Sequence, residues 1–476
     1  MFENISQAVD FIKEKDIKIV DFKVIDMVGR WRHLSIPARR FNQSIMEDGI
    51  GFDGSSYGFL SVENSDMVFK PDIETAFLDP FTEEKTLTMI ANIYYISDEF
   101  ERFAGDPRYI AEKAEKYLKE TGIGDEILFG PEFEFNVFNH VSFNTRPEHQ
   151  EVMIDCQESF WNSESSKCQN LGYKQKFQKG YHSDLPYDET NDFRSAATTL
   201  LEQLGVDIKY HHHEVGASGQ VEIETDFGKM LKMADNTLLI KYILKNLAIE
   251  RGQSVTFMPK PLHGEAGNGF HVHMILNKNG KPVFYDENGY AKLSREALYF
   301  IGGVLKHSPA LLAFTNPSTN SYKRLVPGYE APVNLCFGMA NRSAVIRIPA
   351  YAKKPEKKRF EFRSQDATCN PYLSFSALLM AGIDGIQNKI DPSEEGFGPY
   401  DVNVFNLPEE EREKIKCLPR SLDEAADALD EDFQFLLNGN VFTKGLIDDQ
   451  VARLRKESSM INTIPNPKEF ELYYDL

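Results

Sequence analysis

The stretch that decides the fold is Gly130-Pro131-Glu132-Phe133-Glu134-Phe135, in which acidic and aromatic residues alternate. Successive side chains of a β-strand point to opposite faces, so a strand here turns both carboxylates to one face and both phenylalanines to the other. A lone strand of this kind is more often an exposed edge than a ligand site. Its meaning therefore depends on what the rest of the chain brings to the same face.

Similar alternation recurs in Arg359-Phe360-Glu361-Phe362-Arg363 and in His271-Val272-His273, which predicts two more strands with polar residues on one face. Glu214 ends the string His211-His212-His213-Glu214, and Glu222 follows after a glycine-containing stretch that predicts a loop back to the same place. Buried carboxylates cost several kcal/mol each unless they are paired or bound to metal. So many acids on one face therefore predict a site for divalent cations.

The triple histidine does not predict zinc, because neighbouring residues of a strand alternate faces and the three rings cannot converge on one ion. Only Glu214 in this string is predicted to be a ligand. An oxygen-rich ligand set with at most one imidazole suits Mg²⁺ or Mn²⁺.

The composition is that of an ordinary globular protein long enough for two or three domains, with 476 residues, 41% hydrophobic and 26% charged. The net charge of −20 disfavours nucleic acid as a partner, because phosphate neutralisation needs a dense basic surface. The longest apolar runs fall short of the roughly 18 residues of a membrane helix, and the first residues lack signal-peptide order, so we expect no membrane and a cytoplasmic location. Five scattered cysteines without a Cys-x-x-Cys pair indicate neither disulfides nor a thiolate metal site.

Residues 342 to 363 reverse the sign of the charge, with eight Lys or Arg against two acids. Lys353 to Lys358 fit a solvated charged loop without a function. Arg359 and Arg363 fit that interpretation poorly, because they alternate with phenylalanines on a predicted strand. The segment therefore predicts a pocket for anions.

The order of patterns along the chain predicts an α+β protein of two domains. Residues 1 to 103 are typical of a small domain with an opening amphipathic helix and short β-rich runs. A helix with Asp106 as its cap and Pro107 in its first turn begins a larger domain over residues 104 to 476. Residues 139 to 192 are polar and predict a long ordered excursion, a kind of segment that is often functional.

Long strings of this chain resemble type I glutamine synthetases, the bacterial and archaeal class, nearly from end to end. They are Phe52-Asp53-Gly54-Ser55-Ser56, Gly130-Pro131-Glu132-x-Glu134, His211-His212-His213-Glu214-Val215, Gly219-Gln220-x-Glu222, Met258-Pro259-Lys260-Pro261, residues 320–332 and Asn341-Arg342-Ser343-Ala344-x-Ile346-Arg347-x-Pro349. The resemblance implies a small N-terminal β-grasp domain followed by a catalytic domain with a curved antiparallel sheet flanked by helices. It also implies the reaction, in which ATP phosphorylates the γ-carboxylate of glutamate and ammonia displaces the phosphate to give glutamine.

The resemblance also implies roles for the candidate residues. At least two Mg²⁺ or Mn²⁺ ions would accompany ATP, one held by Glu134, Glu214 and Glu222 and the other by Glu132, His271 and Glu361. Arg324 would hold the glutamate α-carboxylate, and the Gly267 backbone would also serve glutamate. Arg342 and Arg347 would bind the transferring phosphate and nucleotide, Arg359 the nucleotide, and Arg363 the substrate carboxylate or phosphate. Planar bidentate arginines suit such anions better than lysine does. His273 fits the ATP side and simple packing equally well.

Ammonium would bind at Asp53, Tyr181 and Glu214, with Asp53 as the base, and Glu330 would lie on a flap that closes over the acyl phosphate. In the family resembled, the Asp53 loop reaches into the neighbouring subunit, so active sites lie between the subunits of a dodecamer of two hexameric rings. The final string, residues 469–474, matches the tail that ties the rings together. L-Glutamate, ammonium, ATP and further copies of this chain are the expected partners, with a possible regulatory protein.

Departures from the family pattern bear on affinity and regulation. Ala266 stands where asparagine is common, and Ile275 replaces a serine often placed beside the nucleotide, so substrate affinity is expected to shift. Phe405, in Val404-Phe405-Asn406-Leu407-Pro408, stands where a subclass of the family is adenylylated on tyrosine. Because phenylalanine has no hydroxyl, we predict regulation by another route, such as feedback by glutamine or a partner protein.

Other functions fit the same residues less well. A γ-glutamyl-polyamine or other amide ligase would need a more open amine pocket than the Asp53-Gly54-Ser55-Ser56 loop and Glu330 indicate. A catalytically dead scaffold should have lost metal ligands, and all of the predicted ones are present. A two-metal hydrolase would need an exposed bridging water rather than many arginines and a closing flap.

Overall fold

The computed structural model describes residues 2–96, 100–162, 171–327 and 331–474. Its N-terminal part contains α1 (Ile5–Glu14), β1 (Ile19–Ile25), β2 (Trp31–Pro37), α2 (Gln43–Asp48), β3 (Ile50–Asp53), β4 (Asp66–Pro71), β5 (Phe77–Leu78) and β6 (Thr86–Tyr95). The strands form one sheet in the order β2-β1-β6-β4-β3, with β5 also paired to β6, and β1 runs parallel to β6. The opening amphipathic helix predicted from the sequence is thus confirmed, and it buries Ala8 and Ile12.

The larger part begins at α3 (Pro107–Thr121), where the sequence predicts a helix start. The Asp106 side chain accepts a hydrogen bond from the Arg108 N–H, and Gly122 ends the helix in the left-handed conformation. The elements that follow are β7 (Glu126–Phe138), β8 (His140–Arg146), β9 (His149–Asp155), α4 (Asn191–Gln203), β10 (Ile208–His213), β11 (Gln220–Thr225), β12 (Gly228–Lys229), α5 (Met230–Glu250), β13 (Ser254–Thr256), β14 (Phe270–Lys278), β15 (Lys281–Pro282), α6 (Arg295–Thr315), α7 (Ser321–Arg324), β16 (Asn334–Met339), β17 (Ala344–Ile348), β18 (Phe360–Phe362), α8 (Pro371–Gln387), α9 (Glu409–Arg412), α10 (Leu422–Glu431), α11 (Gln434–Leu437), α12 (Lys444–Asn462) and α13 (Pro467–Tyr473).

A second, ten-stranded sheet organises this part, with the path β10-β11-β7-β14-β18-β17-β16. Its pairs are antiparallel except that β16 runs parallel to β17. Helices α5, α6 and α8 pack with it in one large core, to which β7 contributes Phe133 and Phe135, both fully buried. The α+β architecture and the aromatic core face of β7 therefore confirm the fold predicted from the sequence.

Helix α6 has the length and mean hydropathy of a membrane span, but 78% of its most apolar window is buried inside the fold. It packs closely on α8. Burial of this extent is typical of the core helix of a globular domain.

Arg108 joins the two parts of the chain at the start of α3. Its guanidinium lies 2.8 Å from the Asp72 carboxylate after β4, and it donates to Asn92 Oδ1 on β6 at 2.8 Å. On the other side it donates to both carboxylate oxygens of Asp235 in α5, at 3.1 Å each. Since Arg108 and Asp235 are buried, this junction is fixed by charge as well as by packing.

Candidate active site

Glu132 and Glu134 lie on the central strand β7, where neighbouring strands face them from both sides. In the antiparallel register, Glu222 of β11 pairs with Glu134, and His271 of β14 pairs with Glu132. One strand further along, Glu361 of β18 lies opposite β14. Directly paired residues of antiparallel strands project to the same face. The sheet register therefore gathers the acids of the alternating strings.

These side chains line a cavity of about 520 Å³, a volume in the range of small-molecule sites. Its walls contain all of the predicted metal ligands and six of the other predicted site residues. The ligands are Glu132, Glu134, Glu214, Glu222, His271 and Glu361, and the others are Tyr181, Gly267, Arg324, Arg342, Arg347 and Arg363.

Two histidines hold the Glu132 carboxylate. His271 Nδ1 lies 3.0 Å from Glu132 Oε2, and His273 Nε2 lies 2.8 Å from Oε1. Burial disfavours the ionised form, but the charges and hydrogen bonds of the two histidines hold the pKa of Glu132 well below its usual range. Glu132 is therefore an ionised acid in a fixed orientation.

Glu222 has the opposite electrostatic environment. Burial, followed by repulsion from the carboxylates of Glu132, Glu214 and Glu134, raises the pKa of Glu222 well above its usual value. Acids crowded in this way are stabilised by a divalent cation between them, because it removes the repulsion and replaces the lost hydration.

Potential metal-ligand atoms approach within 4.8 Å of one another in three groups of side chains. The groups are Glu132 with His271 and Glu361, Glu132 with Glu224 and His273, and His212 with Glu214 and Glu222. Each combines two carboxylates with one imidazole, a donor set that suits Mg²⁺ or Mn²⁺. The residues present therefore fit such ions.

The first of these groups contains the same residues that the family resemblance implies for the second ion. In the group around Glu214, His212 stands where the resemblance implies Glu134. The Glu134 carboxylate instead accepts the Gly269 N–H at 2.6 Å, although it still faces the cavity.

Glu224 and His212 are functional candidates that the sequence analysis missed. Glu224 pairs with Glu132 across β11 and β7, and His212 pairs with Glu222 across β10 and β11. Continuing the period of two from Glu222 would have found Glu224. Within the described chain, Glu224 Oε2 and His273 Nδ1 are buried without a hydrogen-bond partner, which is a further sign that a ligand belongs here.

Arginines line the same cavity as the acids. Arg347 Nη1 donates to Glu361 Oε2 at 2.6 Å, and Arg363 Nη1 donates to Glu361 Oε1. Burial disfavours ionisation of Glu361, but these arginines, Arg363 above all, hold its pKa at about 2. Arg324 is buried and donates to the Ser364 carbonyl oxygen at 2.8 Å. The cavity thus presents arginines in direct contact with one of its acids.

Tyr181 lies beside the chain that carries Glu214. The backbone on either side of it is fixed, because the Gly180 N–H donates to the Val215 oxygen at 3.1 Å and the His182 N–H donates to the His213 oxygen at 3.0 Å. Burial and the Glu214 charge raise the pKa of the Tyr181 hydroxyl, so it is a neutral donor in the cavity wall.

Gly267 presents its backbone to the cavity. A Cβ at this position would lie 2.5 Å from the Pro259 oxygen and 2.9 Å from Arg324 Cγ, so no side chain fits. Its carbonyl oxygen accepts a hydrogen bond from Gln220 Nε2 at 3.0 Å. Ala266 lines the cavity beside it without a polar side chain.

Two of the predicted residues that do not line the cavity are buried near it, and a third is outside the described residues. His273 is fully buried behind Glu132. Arg359 is buried too, with its guanidinium carbon 5.3 Å from the ring centres of Phe227 and Tyr351. Glu330 lies outside the described residues.

Asp53 lies on the N-terminal part of the chain and is not part of this cavity. Its carboxylate accepts hydrogen bonds from the hydroxyls of Ser56 at 2.6 Å and Ser55 at 2.7 Å. These bonds hold the pKa of Asp53 well below its usual value. The carboxylate is therefore a permanent, solvent-facing anion that its own chain leaves outside the acid-rich cavity.

Comparison with known proteins finds matches along nearly the whole chain. The family described as "Glutamine synthetase, catalytic domain" matches residues 104–473, and "Glutamine synthetase, beta-Grasp domain" matches residues 16–96. Glutamine synthetase of Aquifex aeolicus is 48% identical over 99% of this chain and 98% of its own, and that of Frankia alni is 47% identical over 100% of both. The cryo-EM structure of Plasmodium falciparum glutamine synthetase superposes with a TM-score of 0.88 at 30% identity, covering 99% of each chain.

The chain belongs to the glutamine synthetase family. It is a glutamate–ammonia ligase, which uses ATP to join ammonia to L-glutamate and releases L-glutamine, ADP and phosphate through a γ-glutamyl phosphate intermediate, the central step of nitrogen assimilation. This confirms the activity that the sequence resemblance implies.

Proposed function

We propose that this chain is a type I enzyme of its family and that the 520 Å³ cavity is where glutamate, ATP and two or more Mg²⁺ or Mn²⁺ ions meet. The observation that carries the proposal is the convergence of Glu132, Glu222, Glu361 and His271 from four adjacent strands on one face. A cavity lined by both acids and arginines suits phosphoryl transfer, which depends on charge neutralisation and alignment.

We propose as metal ligands the five acids and one histidine of the predicted set, all of which line the cavity. Glu132, His271 and Glu361 form one set, and Glu214 and Glu222 form the other, with Glu134 or His212 as their third member. When bound, the cations would neutralise phosphate charge and orient the transferring group. The geometry supports this assignment, because the potential ligand atoms of Glu132, His271 and Glu361, and those of His212, Glu214 and Glu222, lie within 4.8 Å of one another.

The arginines have complementary roles in this proposal. Arg324 binds the glutamate α-carboxylate together with the Gly267 backbone, and Arg363 binds the substrate carboxylate or the phosphate. Arg342 and Arg347 bind the transferring phosphate and nucleotide. In support, the guanidinium groups of Arg347 and Arg363 are held by Glu361 and so are oriented before substrate arrives.

The nucleotide would also contact Arg359 and His273 in this proposal. The guanidinium of Arg359 contacts the rings of Phe227 and Tyr351, which supports a fixed cation that the phosphates of the nucleotide could reach. His273 has one ring nitrogen on Glu132 and the other without a partner in the described chain, which favours the ATP side over simple packing.

Ammonium would be held by Asp53 of a neighbouring subunit together with Tyr181 and Glu214. An aspartate with a lowered pKa attracts the ammonium cation and keeps its own charge while the cation loses a proton. Glu330, in the sequence between Pro327 and Pro332, would close over the acyl phosphate and exclude water.

Assembly would complete the site. A dodecamer of two hexameric rings, in the cytoplasm, would bring the exposed Asp53 loop of one subunit to the cavity of the next. The exposed aromatic helix α13, with Tyr473 60% exposed, supports a contact between rings. We also propose that residues 1–103 and 104–476 are separate domains and that neither nucleic acid nor a membrane takes part, although a regulatory protein can.

The test is phosphate release from ATP with glutamate and Mg²⁺, comparing ammonium, putrescine and no amine, for the natural chain and for Asp53→Ala. We expect ammonium-dependent release that collapses in the variant. Preference for putrescine would move the chain to the polyamine ligases, and release that is unchanged in Asp53→Ala would remove Asp53 from the ammonium site. Mixing Asp53→Ala with an Arg324→Ala variant should restore part of the activity if active sites lie between subunits.

A further inference from the structure

Glu158 is a buried acid in the polar excursion of residues 139–192, three positions after the end of β9. Only 1% of its surface is exposed, although the excursion itself is mostly on the surface. Its Oε1 accepts hydrogen bonds from His213 Nε2 at 2.7 Å and from the Gly219 N–H at 2.6 Å. Its Oε2 accepts the Glu189 N–H at 3.2 Å. All the partners of this carboxylate among the described residues are therefore donors.

The two contacts of Oε1 lie on opposite ends of the loop between β10 and β11. His213 is the last residue of β10, and its Nδ1 lies 2.7 Å from the Glu214 carbonyl oxygen. Gly219 is the last loop residue before β11. Glu158 therefore bridges the two ends of the loop of residues 214–219.

This loop carries Glu214 into the cavity. The Glu214 carboxylate groups there with Glu222 and His212 as potential metal-ligand atoms. The loop is short and contains Gly216 and Gly219, so its own backbone preferences fix it weakly. A contact that fixes both of its ends also fixes the direction of Glu214.

The hydrogen-bonding capacity of Glu158 matters as well as its shape. Its two oxygens face three partners, His213 Nε2, the Gly219 N–H and the Glu189 N–H, and a carboxylate offers an acceptor to each of them. A glutamine has one acceptor oxygen and one donor amide. It would turn an N–H group toward at least one of three donors and could not satisfy them all.

We propose that Glu158 is a positioning residue that acts through His213 and Gly219 to aim Glu214 at the metal site. The inference rests on the proposed assignment of Glu214 as a metal ligand. Residues that hold metal ligands from behind typically change metal affinity by roughly 10- to 100-fold when they are replaced.

The test uses full-length protein and Mn²⁺ alone, without substrates. The variant is Glu158→Gln, and the matched control is Glu148→Gln, an acid in the same excursion whose side chain is 68% exposed. The measurement is the Mn²⁺ concentration that gives half of the maximal rise in thermal midpoint. We expect this concentration to increase by about 10-fold or more in Glu158→Gln and to stay unchanged in Glu148→Gln.

If the role of Glu158 is merely structural, Glu158→Gln will lower the thermal midpoint without metal and leave the half-saturating Mn²⁺ concentration unchanged. That result would overturn the proposal. If Glu158→Gln does not fold, Glu158→Asp decides, because it keeps the charge but shortens the reach. An intermediate shift supports the proposal, and a wild-type Mn²⁺ midpoint overturns it.

Glu214→Gln separates this inference from the ligand assignment beneath it. No shift in Glu214→Gln removes the assignment and the inference together. A shift in Glu214→Gln with none in Glu158→Gln overturns the inference alone. In the double variant, Glu158→Gln should add almost nothing to Glu214→Gln, because both act on one ligand, and fully additive shifts would contradict the proposed route.

Discussion

Gly219→Ala is expected to disable the enzyme while leaving most of its fold intact. Gly219 has φ +66, and a Cβ there would lie 2.2 Å from the Val137 carbonyl oxygen and 3.2 Å from Cys156 Sγ. The left-handed conformation alone costs an alanine roughly 1–2 kcal/mol. The distance from this Cβ to the Val137 carbonyl oxygen is also about 1 Å shorter than an ordinary van der Waals contact. The loop must therefore move by a similar distance.

The displacement matters because this loop carries Glu214 and leads directly into β11, which carries Glu222. A misplacement of about 1 Å in catalytic groups can cost ~100-fold in rate, equivalent to ~2.7 kcal/mol of transition-state stabilisation. We therefore expect kcat/KM for glutamine formation to fall by about 100-fold in Gly219→Ala. The assay is ammonium-dependent phosphate release under saturating ATP and Mg²⁺, with the thermal midpoint measured in parallel.

Gly205→Ala is the matched control. Gly205 has φ +80, but a Cβ there meets nothing within 4 Å, so it carries the conformational cost without the collision. We expect the control to lose stability by roughly 1–2 kcal/mol and to keep its activity. Equal activity in the two variants, or wild-type activity in Gly219→Ala, would refute the link between this loop and catalysis.

Three further predictions concern stability and regulation. Arg108→Met should lower stability by about 3–5 kcal/mol, because it leaves the Asp235 carboxylate buried without its cation, and an unchanged thermal midpoint would contradict this. Burial lowers the pKa of His307, but hydrogen bonds to Asp384 and Asp432 raise it above 6.5 overall, so its stabilising contribution is fully present below pH 6.5 and is lost as the pH rises through the folded-state value. Thermal midpoints of His307→Gln should therefore fall less between pH 6 and pH 9 than those of the natural chain, and parallel curves would contradict the assignment. Incubation with an adenylylating enzyme and labelled ATP should leave position 405 unlabelled, because Phe405 has no hydroxyl, and label found on another residue would overturn the wider prediction that this chain escapes adenylylation.

The strands of the site could be predicted well because their periodicity is local. The alternation around Glu132 and around Glu361 is visible in a few residues, and it correctly separates the core face from the polar face. The helix that begins at Pro107 was equally readable, since its cap and its final glycine are local signals. In each case the side-chain pattern and the backbone geometry have the same short range.

Contacts between distant segments could not be predicted in the same way. Nothing near Glu158 in the sequence indicates that it would be buried against His213, which lies 55 positions later. The sequence analysis missed Glu224, although it follows Glu222 by two residues and so lies on the same face of the strand. The string that resembles the family, Gly219-Gln220-x-Glu222, ends before it. The two arginines on Glu361 were predicted as anion contacts, but their shared carboxylate partner depends on the pairing of β17 with β18.

The sequence by itself determined the strands, the acidic and aromatic faces, the family and the reaction, since these follow from side-chain period and from long matching strings. Only the tertiary structure decided that Glu132 is held by two histidines while Glu222 is repelled by neighbouring carboxylates. It also decided that Asp53 lies outside the cavity of its own chain. The physical reason is that electrostatic energies depend on distances between atoms and on burial. Those distances are set by strand register and loop packing, which bring together residues far apart in the sequence.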